Sequence, residues 1–312
     1  MPRALIVGCN GQDGTYLSHF LRDKGYDVLG IDRVGPCLDV DVCDAGAVVA
    51  LLQSLKPDEV YYLAAFHHSA EDGAVDEHEL IVKSLAVNTL SLNNFLYGIA
   101  QESPASRLFY AASCRVFGKP EAVPQDEATP MNPVCAYGIS KAAGIQLCRY
   151  YRRQGRVYSS AGILYNHESP RRPVQFITRK IAVAAAKARK GLQAKVVVGD
   201  LDARVDWGYA PDYVAAMWAV LQLDQPDDFI VATGQLHSVR DFAETAFGSL
   251  DLSWQDYVIE DASLLNRRHA FGTFCGDARN LQQLTGWRPR VSFEEMVREM
   301  VAAEMQTPAD SL

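Results

Sequence analysis

The 312-residue sequence predicts an α/β protein, a doubly wound parallel sheet followed by a smaller C-terminal α/β lobe. Two observations carry that expectation. Short apolar runs alternate with longer helical patterns, as they do where parallel strands are joined by crossover helices. The first run then ends in a turn with three glycines, GCNGQDG, that opens a helix.

Taken in order, strands are expected at Ala4–Val7, Asp27–Ile31, Glu59–Leu63, Leu108–Ala111 and Tyr158–Leu164. Helical stretches lie between them near Gly14–Lys24, Ala45–Leu55, Glu79–Gln101 and Tyr137–Gln154. After Asn166 the rhythm loosens. SPRRPVQFITRKIAVAAAKARKG reads as a loop leading into a helix. The stretch from Lys195 to Leu223 gives a strand, a polar loop and a helix with Pro211 near its start, where a missing N–H is harmless. From Ser238 onward a small α/β lobe is expected.

Composition narrows the function classes. A net charge of −8 argues against a nucleic-acid-binding surface, although a few arginines suffice for a local diphosphate site. No window is apolar enough for a membrane span, and MPRALIVGCNGQDG reaches glycine after four apolar residues, too early for a signal peptide. The seven cysteines include no CxxC pair, so reduced thiols, a cytoplasmic location and no metal site are expected.

Gly8, Gly11 and Gly14 sit at the junction of the first strand and first helix. Glycine there permits a tight turn and lets backbone N–H groups approach a diphosphate, with Gln12 and Asp13 in the same turn. Residues 1–165 are therefore expected to form a dinucleotide-binding domain, with later segments returning to it. Asp32, at the end of the second strand, suits a ribose hydroxyl and favours NAD, whereas Arg33 suits a 2′-phosphate; NAD(P) is the expected cofactor, with NAD preferred. Tyr137 and Lys141 are four apart on a helix and share a face. An ammonium beside a phenol makes tyrosine a usable acid or base, and Ser113 at the end of the fourth strand would address the same substrate oxygen. Arg171, Arg172, Arg179 and Lys180 cluster within ten residues, as diphosphate recognition would require. His67 and His68 follow the third strand, where a cofactor would pass.

Together these motifs resemble the extended short-chain dehydrogenase/reductase family, which acts on nucleotide sugars. The stretches GILYNHESPRR, FITRKI, GDLDARVDWGYAPDYVAAMWAVLQL and GWRPRVSFEEMVREMV are similar to GDP-mannose 4,6-dehydratases in particular. The resemblance covers nearly the whole chain and implies a Rossmann-like doubly wound sheet, with 166–312 mainly a nucleotide-sugar-binding lobe. It implies that Gly8 to Gly14, Asp41, Val42, Leu63, Ala64, Ala65, His167 and Arg172 touch the dinucleotide. It also implies that Asn166, Thr178, Lys180, Arg204 and Arg267 touch the diphosphate of a nucleotide sugar, expected to be GDP-linked. A homodimer or homotetramer is expected.

The chain departs from that family at the stretch SCRVFG. There the resemblance places Arg115 where the dehydratases carry the glutamate that removes the C5 proton. Arginine stays protonated and has no lone pair to offer, so Arg115 cannot be that base. Ala270 likewise stands where a glutamate would bind the substrate ribose, and DRVGPCLDVD is shorter than usual, which with Asp32 turns the cofactor expectation from NADP toward NAD. Three readings stay open. A dehydratase could use another group, such as Glu168, Cys114, His67 or His68. A GDP-sugar dehydrogenase, 4-ketoreductase or C4 epimerase would need only Ser113, Tyr137 and Lys141. A catalytically silent relative would keep the cofactor alone. Arg115 itself is expected either to face the substrate as a fixed cation or to turn outward to an acid such as Glu127.

Overall fold

In the computed structural model, which describes residues 1–68, 75–264 and 272–308, all five apolar runs form strands. The first half runs β1 (Arg3–Val7), α1 (Gln12–Asp23), β2 (Asp27–Ile31), α2 (Ala45–Leu55), β3 (Glu59–Tyr62), α3 (Glu77–Leu85), α4 (Ser91–Glu102), β4 (Arg107–Ser113), α5 (Ala136–Arg153) and β5 (Tyr158–Leu164). The second half runs β6 (Asn166–Glu168), α6 (Ile177–Arg189), β7 (Val196–Val198), β8 (Arg204–Val205), β9 (Trp207–Tyr209), α7 (Ala210–Leu221), β10 (Asp228–Val231), β11 (His237–Ser238), α8 (Val239–Gly248), β12 (Val258–Glu260), α9 (Arg279–Thr285) and α10 (Phe293–Gln306).

Six strands form one sheet in the order β2-β1-β3-β4-β5-β10, every pair parallel. The chain leaves β1 in one direction for β2 and in the other for β3, so the ends of β1 and β3 flank the crevice where such sheets bind ligands. The sixth strand, β10, is an addition to the expected five. Its first residue, Asp228, is buried and ion-paired to Arg149 at 2.5 Å and Arg152 at 3.1 Å on α5. Those two arginines make an acidic start compatible with a buried strand.

The single helix expected over Glu79–Gln101 is two. A π-helical turn at Ala86–Leu90 separates α3 from α4 and carries Asn88, wholly buried, to the inside. Such wide turns recur where a side chain must be re-aimed.

Apolar side chains gather in two clusters. One surrounds the large sheet and takes in Tyr213, Met217 and Val220 of α7 together with Leu281 and Trp287. The other lies among α6, α8 and α10, where Trp207 meets Phe242 at 5.7 Å and Phe293 at 6.1 Å between ring centres. Arg179 belongs to this second framework. Its guanidinium pairs with the buried Glu304 of α10 and donates to the carbonyls of Pro170 and Arg172. Its donors thus hold the loop before α6 as well as the buried carboxylate of α10. Among the described residues, no helix is long and apolar enough to cross a membrane.

Asp206 ties three chain segments together from a wholly buried position. One carboxylate oxygen accepts from the Thr233 amide at 3.0 Å and its hydroxyl at 2.5 Å; the other accepts from Gly234 N–H at 2.9 Å and Gly276 N–H at 3.1 Å. Asp206→Ala orphans all of these donors, and each buried orphan costs about 1–3 kcal/mol. Urea denaturation should show a loss of at least about 3 kcal/mol; a loss below about 1 kcal/mol would contradict this role.

Candidate active site

The glycine turn is built by exclusion of side chains. Gly8 adopts φ +91°, and a Cβ there would sit 2.8 Å from the Ala64 nitrogen. A Cβ on Gly14 would lie 2.1 Å from the Gly8 carbonyl oxygen. The ends of β1 and β3 and the start of α1 therefore meet backbone to backbone, and Gly11 caps α1 without a side chain. Leu63 extends this junction by donating its N–H to the Val7 carbonyl at 2.9 Å, with Ala65 exposed just beyond it. The result is a helix N-terminus that a diphosphate can approach closely.

Asp32 stands at the rim of that turn, accepting from Asn10 N–H at 2.8 Å and from Arg33 N–H at 2.7 Å. The Arg33 side chain is exposed. Asp41 accepts from Cys43 N–H at 2.9 Å, and the Val42 carbonyl accepts from the Asn94 amide at 3.0 Å.

Gln12, Asp13 and His167 bind one another. His167 Nε2 lies 2.9 Å from Asp13, its Nδ1 lies 2.7 Å from the Tyr165 carbonyl, and its ring stacks on Tyr213 at 4.6 Å. Gln12 donates to the His167 carbonyl at 3.1 Å and accepts from Ser169 at 2.8 Å. Burial alone would raise the Asp13 carboxyl, but the charge and hydrogen bond of His167 hold it below its ordinary value. Burial would lower His167, and Asp13 raises it instead. The pair thus rests as an ion pair that fastens α1 to β6.

Residues expected around the substrate diphosphate divide. The Thr178 hydroxyl is buried and donates to Glu168 at 2.6 Å; Arg172 Nε lies 3.2 Å from the same carboxylate and its guanidinium covers the Phe176 ring at 3.7 Å. Asn166 begins β6 and Lys180 lies on α6, both half-buried, and Arg204 is exposed on β8. Arg267 and Ala270 fall outside the described residues.

Ser113 is the last residue of β4, and α5 lays Lys141 against that strand with Tyr137 beside it. Lys141 is wholly buried and donates to the Ala111 carbonyl at 2.7 Å, with its nitrogen 5.6 Å from the Tyr137 ring centre. Burial pulls this ammonium down to about 7, with Asp13 opposing. The Tyr137 phenol is pushed well up by burial and then by Cys114, against the pull of Arg172 and Arg115. Gly138 allows the approach of α5, since a Cβ there would meet the Arg115 carbonyl oxygen at 2.6 Å.

Arg115 lies in the short 3-10 turn Cys114–Phe117, its N–H donating to Ser113 Oγ at 3.3 Å. Its guanidinium carbon is 5.3 Å from the Phe274 ring centre, and its charge acts on Tyr137. Glu127, the acid expected to draw Arg115 outward, accepts from the Ile230 N–H at 3.0 Å.

Asn88 is the residue that sequence reasoning missed. Its amide donates to the Phe66 carbonyl at 3.0 Å and to Ser140 Oγ at 2.9 Å, while its oxygen accepts from Phe66 N–H at 2.8 Å. It thereby clamps the loop after β3 to α5 and sets the His67 ring edge-on to Tyr137, 4.9 Å between centres. The available signal was one amide inside the otherwise apolar run LAVNTL.

Comparison with known proteins follows the same outline. The family described as GDP-mannose 4,6 dehydratase matches residues 36–300. GDP-mannose 4,6 dehydratase 2 of Arabidopsis thaliana is 37% identical over 327 residues, covering 97% of this chain and 87% of its own. Two solved structures share the fold at 22% identity. RMD from Pseudomonas aeruginosa, complexed with NADPH, has a TM-score of 0.85 and aligns over 98% of this chain and 99% of its own. The Thermus thermophilus UDP-glucose 4-epimerase, complexed with NAD, has a TM-score of 0.81 and aligns over 98% and 100%.

The buried Lys141 has a thermodynamic signature. Its native value near 7 lies below the ordinary lysine value of about 10.4, so between them the unfolded chain holds the extra proton. Stability owed to this site is therefore absent below about pH 7 and grows as pH rises above it. Chemical denaturation should show wild type gaining on Lys141→Met by about 1 kcal/mol per pH unit between roughly pH 7.5 and 9. A difference independent of pH would contradict it.

Proposed function

Since the chain belongs to the GDP-mannose 4,6-dehydratase family, we propose that it is an NAD(P)-dependent enzyme that oxidises a GDP-linked hexose at C4 and eliminates water across C5 and C6. The observation that supports the reading is Tyr137 paired with buried Lys141 against the strand that Ser113 ends, in a fold whose first turn is stripped of side chains. When bound, the nicotinamide would accept hydride from C4 and return it to C6 after water has left, so that the net change is loss of water alone, and its positive charge would ease loss of the phenol proton.

The protein residues do the remaining work. Ser113 and Tyr137 bind the C4 hydroxyl, and Tyr137 takes its proton as the carbonyl forms. Lys141, held on the Ala111 carbonyl, steadies the phenolate at the centre of the site. Gly8, Gly11 and Gly14 offer backbone N–H groups to the cofactor diphosphate. Asn166, Lys180 and Arg204 are assigned to the diphosphate of the sugar nucleotide. Arg115 lends a fixed cation to the sugar side of the pocket, where it polarises the new keto oxygen.

Arg115 also favours a second reading. With no carboxylate at that position, chemistry could end at C4, as in a dehydrogenase, ketoreductase or epimerase. Incubation with GDP-mannose and cofactor, followed by mass spectrometry, separates the two: the proposal expects loss of water, and loss of two hydrogens instead would select the second reading. No change in mass would overturn the dehydratase reading, and chromatography of the released sugar would then tell C4 epimerisation from an unused substrate. Tyr137→Phe should stay folded and lower turnover by about 10² to 10⁴. Arg115→Ala and Arg115→Glu should each lower native turnover on the order of a hundredfold; unchanged kinetics in both would remove Arg115 from the chemistry.

Asp32 supports NAD as the preferred cofactor, because a carboxylate at that rim accepts from ribose hydroxyls and repels a 2′-phosphate. Titration with both cofactors should show tighter NAD binding. Tighter NADP binding by about tenfold, or about 1.4 kcal/mol, would reassign the rim to Arg33.

A further inference from the structure

We propose that His67 is the base that removes the C5 proton of the sugar. The inference rests on the dehydratase reading above and supplies the group that Arg115 cannot be.

Four residues were open for the role, and the structure separates them. Glu168 is buried, and its Oε2 accepts the Thr178 hydroxyl at 2.6 Å and lies 3.2 Å from Arg172, so the carboxylate is held as an ion pair away from solvent. Cys114 is buried beneath the 3-10 turn, and burial raises its thiol to about 11. Neither can meet a substrate carbon. His67 is exposed, and its ring stands edge-on to Tyr137 at 4.9 Å and tilted against Phe176 at 5.8 Å. His68, its neighbour, is half-buried, and the test below separates the two.

Position follows from the chemistry. Tyr137 addresses the oxygen on C4, and C5 is one bond away. A base for C5 must therefore stand beside the phenol, within about 3 Å of that carbon's hydrogen-bearing face. The His67 ring stands beside the phenol ring, and its placement is fixed from the preceding residue: Phe66 is held at both its N–H and its carbonyl by Asn88. A neutral imidazole has the lone pair that a guanidinium lacks.

The step balances without any further reagent. With the C4 ketone in place, the C5–H bond breaks and its proton goes to a His67 ring nitrogen. The electron pair becomes the C5=C6 double bond as the C6–O bond breaks. The departing hydroxide leaves as water with the proton that Tyr137 took from the C4 hydroxyl. The 4-keto-5,6-ene is neither oxidised nor reduced relative to the ketone, and Arg115 offers its charge to the enolate oxygen that forms in passing.

The test compares wild type, His67→Ala and His68→Ala with GDP-mannose and cofactor, reading hydride transfer by absorbance of the reduced nicotinamide and water loss by mass spectrometry. Titration with GDP and with cofactor checks that the variants keep both sites. His67→Ala should keep binding and the hydride step within a few-fold, lose elimination by about a hundredfold or more, and regain it when imidazole is added. His68→Ala should eliminate water as wild type does. Wild-type elimination by His67→Ala, a loss that imidazole does not restore, or a loss in His68→Ala instead would overturn the assignment. Hydride transfer without water loss in wild type would overturn the dehydratase reading, and this proposal with it.

Discussion

One buried ammonium organises the site. Lys141 is carried by α5 into the interior against β4, where it donates a hydrogen bond to the Ala111 carbonyl at 2.7 Å. Burial of a charged group is tolerated when it is bonded or when its pKa falls, and here both occur. That single anchor sets the height of α5 against the sheet. It places Tyr137 beyond the end of β4 and keeps it near Ser113 and the Arg115 turn. Gly138 completes the fit by leaving room for the Arg115 carbonyl.

Around this anchor the charged residues are already paired before any ligand is considered. Asp13 with His167 and Glu304 with Arg179 each join separate elements, Glu168 with Arg172 ties β6 to the loop that follows it, and all three pairs are largely buried. Breaking one member of such a pair is expensive, since the other is left uncompensated. The arrangement explains why an acidic protein concentrates arginines between 171 and 180. Part of that cluster is structural, with Arg172 held on Glu168 and Arg179 joining α6 to α10.

Much of this was legible in the sequence, for physical reasons that differ by element. The five strands Ala4–Val7 to Tyr158–Leu164 declared themselves because a strand covered on both faces must be apolar throughout. The glycine turn was legible because close backbone approach admits no other residue. Strand β10 was hidden because its buried start is Asp228, which only Arg149 and Arg152 from α5 make tolerable. The π-helical turn was hidden because Ala86–Leu90 continues the helical pattern on either side, and only the tertiary bonds of Asn88 reveal it. Arg179 was grouped with ligand-binding arginines by its residue type, whereas its partner Glu304 lies far away in the chain.

The central claim is that the sugar lies with its C4 oxygen between Ser113 and Tyr137 and its C5 toward His67, with Arg115 on the same side. A crystal structure with cofactor and a GDP-hexose tests it most directly. The account predicts the C4 oxygen within about 3 Å of both hydroxyls, a His67 ring nitrogen facing C5, and the Arg115 guanidinium directed at the sugar. A hexose bound with C4 away from Tyr137, or with Arg115 turned from it, would contradict the account.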